Sequence, residues 1–137
     1  MNPPEVFSDE WAAICARTLN EGAGYRTVAA AWEARIVLTM TSVGTDGGER
    51  RVWLDLAAGS CRGARAALAE DEGDARYVLS GTAESWRLVL SGALPPLQAI
   101  MTGRLRLAKG SLVELIPWVN AAKELVSAAA AVPATFP

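Results

Sequence analysis

The residues able to do chemistry in this 137-residue chain are few. Histidine is absent, which removes the commonest general base and the commonest metal ligand. Two carboxylates stand beside aromatic side chains: Glu33 follows Trp32, and Glu84 precedes Trp86 by two positions. A carboxyl buried in such a setting has its pKa raised and can work as a base near neutral pH. Both are read as surface residues, because nothing else in their neighbourhood is arranged for proton transfer. Tyr25 and Tyr77 can donate a hydrogen bond to a ligand hydroxyl or carbonyl, although packing is the ordinary role of a tyrosine. Cys15 and Cys61 lack the close pairing of a zinc or iron–sulfur site, and with no histidine in the chain no base is evident to activate the Cys61 thiol. Gly22-Ala23-Gly24 follows a helical stretch and lacks a third glycine, so it is no dinucleotide fingerprint. No catalytic residue, metal site or cofactor is assigned.

The rest of the composition excludes further classes. Apolar residues make up 51% of the chain, but 26 residues are alanine, so the excess lies in small side chains. A chain of this length buries roughly two thirds of its unfolded surface and forms one core without disulfides or metal. Residues 1–137 are therefore expected to be a single domain. The 11 Arg and 2 Lys are scattered and the net charge is −2, which argues against a nucleic-acid partner. The opening residues carry no basic and apolar leader pattern. Apolar runs such as Val28 to Trp32 and Ala128 to Ala134 fall far short of the ~20 residues that span a bilayer. With two free thiols, these features lead to the expectation of a soluble, cytoplasmic protein.

The elements that must position any site follow from periodicity. Phe7, Trp11, Ile14, Cys15, Thr18 and Leu19 share one helical face, with Ser8 as N-cap and Gly22 or Gly24 as the stop, so residues 1–24 hold an N-terminal helix. The period then changes to two. Ala34, Ile36, Leu38 and Met40 form one face of a strand, and Gly44-Thr45-Asp46-Gly47-Gly48 turns it into a second strand through Val52, Leu54 and Leu56. A weaker strand is expected near Cys61 to Leu68, and Glu70-Asp71-Glu72-Gly73-Asp74 reads as a solvated charged turn. Ala75, Tyr77 and Leu79 mark a fourth strand. Thr82 caps a short helix with Trp86, Val89 and Leu90 on one stripe, and a second short helix spans about 96–102. Arg104-Leu105-Arg106-Leu107 alternates as a last strand. Ser111 and Glu114 have capping-box spacing at the head of a closing helix that Pro117 must kink or break. Tight turns between neighbours imply antiparallel pairing. The fold class is α+β: a single antiparallel or mixed sheet of about five strands, covered on one face by helices.

Within this frame one stretch is distinctive. Pro95-Pro96-Leu97-Gln98-Ala99-Ile100-Met101-Thr102-Gly103-Arg104-Leu105-Arg106-Leu107, followed by Gly110, Ser111 and Leu112, resembles the sterol carrier protein 2-like family. Tyr77 to Gly81, Trp86, Val89, Leu90 and Gly92 fit the same pattern, as do Leu54-Asp55-Leu56 and Gly59. The resemblance runs over residues 32–127, leaving 128–137 as a tail. It implies helices that enclose an apolar tunnel accepting a sterol, fatty acid or acyl chain. On that reading Trp86, Leu90, Met101, Leu105, Leu112, Leu115, Ile116 and Val119 are the ligand-binding candidates, against the plain alternative that they fill a solid core. The expected activity is that of a non-enzymatic lipid carrier whose partner is a hydrophobic small molecule, with transient contact to a membrane or an enzyme. The alternatives are a small cyclase or isomerase using the same cavity, and an interaction module that holds a partner helix. The chain lacks a peroxisomal C-terminal address and ends Val132-Pro133-Ala134-Thr135-Phe136-Pro137.

Overall fold

A computed structural model describes residues 3–43 and 47–136. Of the expected first turn, Gly44, Thr45 and Asp46 lie outside the described residues. Helix α1 (Asp9–Glu21) starts where Ser8 accepts a hydrogen bond from the Trp11 amide at 3.2 Å, with Asp9 and Glu10 at the positive end of the helix dipole. Gly22 ends it, its N–H bonded to the Leu19 carbonyl. A second short helix, α2 (Ala23–Val28), follows at once. Strands β1 (Glu33–Val43), β2 (Gly48–Ala57) and β3 (Ser60–Ala66) then form an antiparallel meander. The β2–β3 turn is Ala58-Gly59, both with positive φ. Gly59 is required there twice over: its φ is +79°, and a Cβ would stand 2.7 Å from the Arg26 carbonyl oxygen.

One turn of helix, α3 (Asp71–Asp74), leads to β4 (Tyr77–Thr82), which is followed by α4 (Ala83–Leu90), α5 (Pro96–Met101) and β5 (Leu105–Lys109). The sheet order is β3-β2-β1-β4-β5. β4 pairs with β1 in parallel, from Ile36 opposite Tyr77 to Thr41 opposite Thr82, and β5 returns antiparallel to β4. The sheet is mixed, because the chain passes from the β3 edge across the sheet to the far side of β1 before resuming. Gly81 lets β5 come close: a Cβ there would stand 2.5 Å from Leu105 Cδ2. After β5 the closing helix is broken around Pro117 into α6 (Leu112–Leu115), a 3₁₀ turn (Ile116–Trp118) and α7 (Val119–Ala130). The capping box expected at Ser111 does not form. Ser111 makes no side-chain cap, and Glu114 instead holds Arg76 at 2.7 Å.

Helices α1, α4, α5 and α7 cover the sheet face that carries Ile36, Leu38, Met40, Leu54 and Leu105. Asn20 ties the end of α1 to β3, its side chain accepting from the Cys61 amide at 2.7 Å and donating to the Cys61 carbonyl at 2.9 Å. The other face places Val37, Trp53 and Arg65 in one cross-strand row, with the Arg65 guanidinium 4.5 Å above the Trp53 ring. The acidic turn at 70–74 is thus more than solvated loop. Asp71, Glu72 and Asp74 meet Arg65, Arg51 and Arg35 at 3.0, 3.1 and 2.9 Å. The tail also packs: Val132 is buried, and Thr135 bridges to Glu5.

Candidate functional site

The alternation of β1 sends Ile36 and Leu38 up toward the helices, and helical spacing on α7 turns Val119, Ala122 and Val126 down toward them. Between these layers lie two apolar voids. The larger, about 60 Å³, is walled by Trp32, Ile36 and Leu38 from the β1 side and by Tyr77 and Leu79 from β4. Its roof is Trp86 and Val89 of α4, Pro96, Leu97 and Ile100 of α5, Leu115, and the inner face of α7. The smaller, about 40 Å³, lies between α1 and the β2–β3 side, against Trp11, Cys15, Leu19, Leu54 and Cys61. Leu38, Trp86, Leu125 and Val126 belong to both walls, so these side chains stand between the two spaces.

Among the described residues no charged side chain lines either void. The indole N–H of Trp86 is satisfied, donating to the Thr39 carbonyl at 2.9 Å. An apolar void of ~150 Å³ is what a benzene-sized guest occupies, so a lipid enters only if the layers part.

The sequence candidates divide clearly. Trp86, Leu105, Leu115 and Val119 stand on the larger void, and Trp86 and Leu90 on the smaller. Met101 is 71% exposed and Ile116 50% exposed, and both are away from the voids. Each follows an inward residue, Ile100 or Leu115, and one helical step turns a side chain by ~100°. Leu112 is half-buried and touches neither void. Sequence reasoning passed over the α5 residues Leu97 and Ile100 and the α7 residues Ala122, Leu125 and Val126. The spacing of Leu115, Val119, Ala122 and Val126 was the signal for α7, a single stripe at intervals of three and four.

Glu33 and Glu84 are exposed and on neither apolar wall. Glu33 borders an open polar depression of about 710 Å³ with Arg35, Asp55, Arg62, Asp74 and Arg76. Its charges are largely engaged with one another: Arg62 lies 3.0 Å from Asp55 and Arg35 2.9 Å from Asp74. Trp118 of the 3₁₀ turn stacks on Trp32, a wall residue of the larger void, with centroids 5.9 Å apart. Among the described residues no cluster of three potential metal ligands occurs, and no helix is long and apolar enough to cross a membrane.

The thiols are shielded. Burial, with the nearby Cys61 adding to it, pushes the Cys15 pKa from 9.0 up to about 12, and burial also raises that of Cys61 against the opposing effect of backbone hydrogen bonding at Gly63 and Asp55. A raised folded-state pKa favours folding below the unfolded value and loses that contribution as the thiol ionises in the unfolded chain. Stability should therefore fall from pH 9 toward about 12, at about 1.4 kcal/mol per pH unit for Cys15. Urea unfolding at pH 8.5 and 10.5 measures it, and Cys15→Ala should flatten the decline. An equal decline in that variant would assign the loss to other groups.

Comparison with known proteins agrees with this architecture. The model of the SCP-2 sterol transfer family matches residues 13–112, and the chain belongs to that family. A crystal structure of sterol carrier protein 2 is similar at 38% identity and a TM-score of 0.84, over 94% of this chain and 100% of that one. A solution structure from Thermus thermophilus, described as a conserved hypothetical protein and possibly a sterol carrier protein, shares 37% identity and a TM-score of 0.84. That match covers 98% of this chain and 94% of the other. The sterol carrier protein domain 2 of Helicoverpa armigera shares the fold at 11% identity and a TM-score of 0.62, over 92% and 95% of the two chains. No curated protein matches the chain.

Proposed function

We propose that this protein is a cytoplasmic carrier that shelters one hydrophobic molecule, a sterol-like or fatty-acyl lipid, between its sheet and its helical layer. The observation that supports this most is the pair of apolar voids separated by four side chains, with no charge on either wall. A core selected only for stability would be expected to close such spaces, since each unfilled volume forfeits packing energy. Opening them into a tunnel requires α5 and the α6–α7 corner to lift from the sheet. That corner is suited to moving: its helix is interrupted at Pro117, and α6 has no side-chain cap. Exposed Val113 and Ile116 lie on it, and exposed Met101 ends α5, so apolar side chains are available to a lipid arriving from a membrane.

The energetics suffice without an anchoring charge. Burying an eighteen-carbon chain at ~0.8 kcal/mol per methylene gives roughly 14 kcal/mol before association and ordering costs. Micromolar affinity needs about 8 kcal/mol. A carrier is favoured over a cyclase or isomerase because Glu33 and Glu84, the carboxylates beside aromatic residues in sequence, stand off the apolar walls. Native mass spectrometry after gentle purification should show the chain with one bound lipid drawn from a mixed population. A preparation that emerges empty and gains no mass on incubation with sterols, fatty acids and acyl lipids would overturn the reading.

A further inference from the structure

The core packed behind these walls leaves one buried polar group unexplained. Tyr25, on α2, is 2% exposed, and its hydroxyl is fully enclosed without a hydrogen-bond partner. Among the described residues only Thr39 Oγ1 shares that condition. Thr39 alternates with Leu38 and Met40 on β1, so its side chain lies on the sheet face away from the helices. Tyr25 itself borders neither void, but it packs among the residues behind both of them. Its packed cluster includes Trp32, Ile36 and Leu115 from the wall of the larger void, and Leu19, Leu54 and Cys61 from the wall of the smaller one. An unsatisfied buried hydroxyl is destabilising, and native cores rarely keep one without a use.

Resting on the carrier reading, we propose that Tyr25 is the polar anchor of the ligand, and that the ligand's buried head group is neutral: a hydroxyl or a carbonyl, as on a sterol, a fatty alcohol or an acyl ester. The phenol is the donor. Burial and the neighbouring Cys61 raise its pKa, so it keeps its proton throughout the physiological range and offers it rather than accepting one. A carboxylate would fare worse, since the walls hold no cation to pair with it and an unpaired buried charge is strongly disfavoured. The Cys61 thiol is already committed as a donor to the Gly63 carbonyl at 3.2 Å, and the Tyr77 hydroxyl already accepts from Arg76. Tyr25 is the phenol whose buried hydroxyl makes no hydrogen bond at all.

The test uses the full chain and Tyr25→Phe, with uptake of N-phenyl-1-naphthylamine measured first and its displacement by 1-dodecanol, dodecane and dodecanoate at pH 8 measured next. Dodecanol should bind Tyr25→Phe about tenfold more weakly than the native chain, the usual worth of one hydrogen bond made in a buried site. Dodecane should bind both alike, and the ligand-free melting temperature of Tyr25→Phe should be equal or higher, because a hydroxyl without a partner has been removed. Equal dodecanol affinity in the two proteins would overturn the anchor while leaving the carrier reading intact. Dodecanoate binding more tightly than dodecanol would overturn the neutral head group. A native chain that takes up neither the probe nor dodecane would overturn the carrier reading itself, and the two failures are thereby told apart.

Discussion

Ala122→Trp should abolish lipid uptake while the protein still folds. Ala122 lies on α7, half-buried, with its methyl group on the roof of the larger void. An indole placed there projects into a space of about 60 Å³ and occupies the path a guest would follow. If the ring displaces about four methylenes of a lipid chain, the lost burial is about 3 kcal/mol, or roughly a hundredfold in affinity. Overpacking costs about 1–3 kcal/mol, a fraction of the 5–15 kcal/mol that holds a small domain together. The half-exposed position lets α7 move outward to relieve part of that strain. Met101→Trp is the matched control, because Met101 is solvent-facing and an indole there leaves the void untouched. Titration with N-phenyl-1-naphthylamine should show loss of uptake in Ala122→Trp and retention in Met101→Trp. A folded Ala122→Trp protein that binds the probe as the native chain does would place the ligand elsewhere on the molecule.

The contrast between these positions also shows what the amino-acid order conveys. Period-two alternation identifies which side chains of β1 and β2 face the helices, because one face is buried and a shift of one residue would expose all of it. It carries no information on which strands are neighbours. The parallel pairing of β4 with β1 is a property of the long path through β3 and α3, and antiparallel pairing was the natural expectation from the tight turns. α2 was missed because glycines at 22 and 24 flank its start, and both read as stop signals. The acidic run at 70–74 is locally indistinguishable from a solvated loop, and its role as counter-charge to Arg35, Arg51 and Arg65 exists only once the sheet brings those residues together. In the candidate site, Trp86, Leu105, Leu115 and Val119 follow from clear helical and strand stripes. Met101 and Ile116 show the limit of that reasoning. In helices of four to six residues a stripe is two positions wide, and the end residue can rotate out of it.

Trp86→Ala should give the largest loss of stability of any single truncation in the helical layer, and it should change binding in the opposite direction. Trp86 is 3% exposed, its ring lies 5.2 Å from that of Phe7, and its N–H is bonded to the Thr39 carbonyl. Removing a buried indole costs about 3–5 kcal/mol, part from transfer and part from the cavity left behind. Trp86→Phe, which keeps most of the volume and loses the hydrogen bond, should cost about 1–2 kcal/mol, and urea midpoints separate the two effects. The indole is also one of the four side chains between the voids of about 60 and 40 Å³. Its removal joins them and adds the volume of the ring, producing the enlarged apolar space that a guest otherwise opens by parting the layers. A hydrophobic ligand that binds only the folded state stabilises it by RT ln(1 + c/Kd) at free ligand concentration c, so tighter binding gives a larger shift at the same concentration. Excess dodecanol should therefore raise the melting temperature of Trp86→Ala by more than that of the native chain, restoring part of what the truncation lost. A variant destabilised as expected but indifferent to the ligand would mean that the voids on either side of Trp86 are packing defects, with no path between them that a lipid can use.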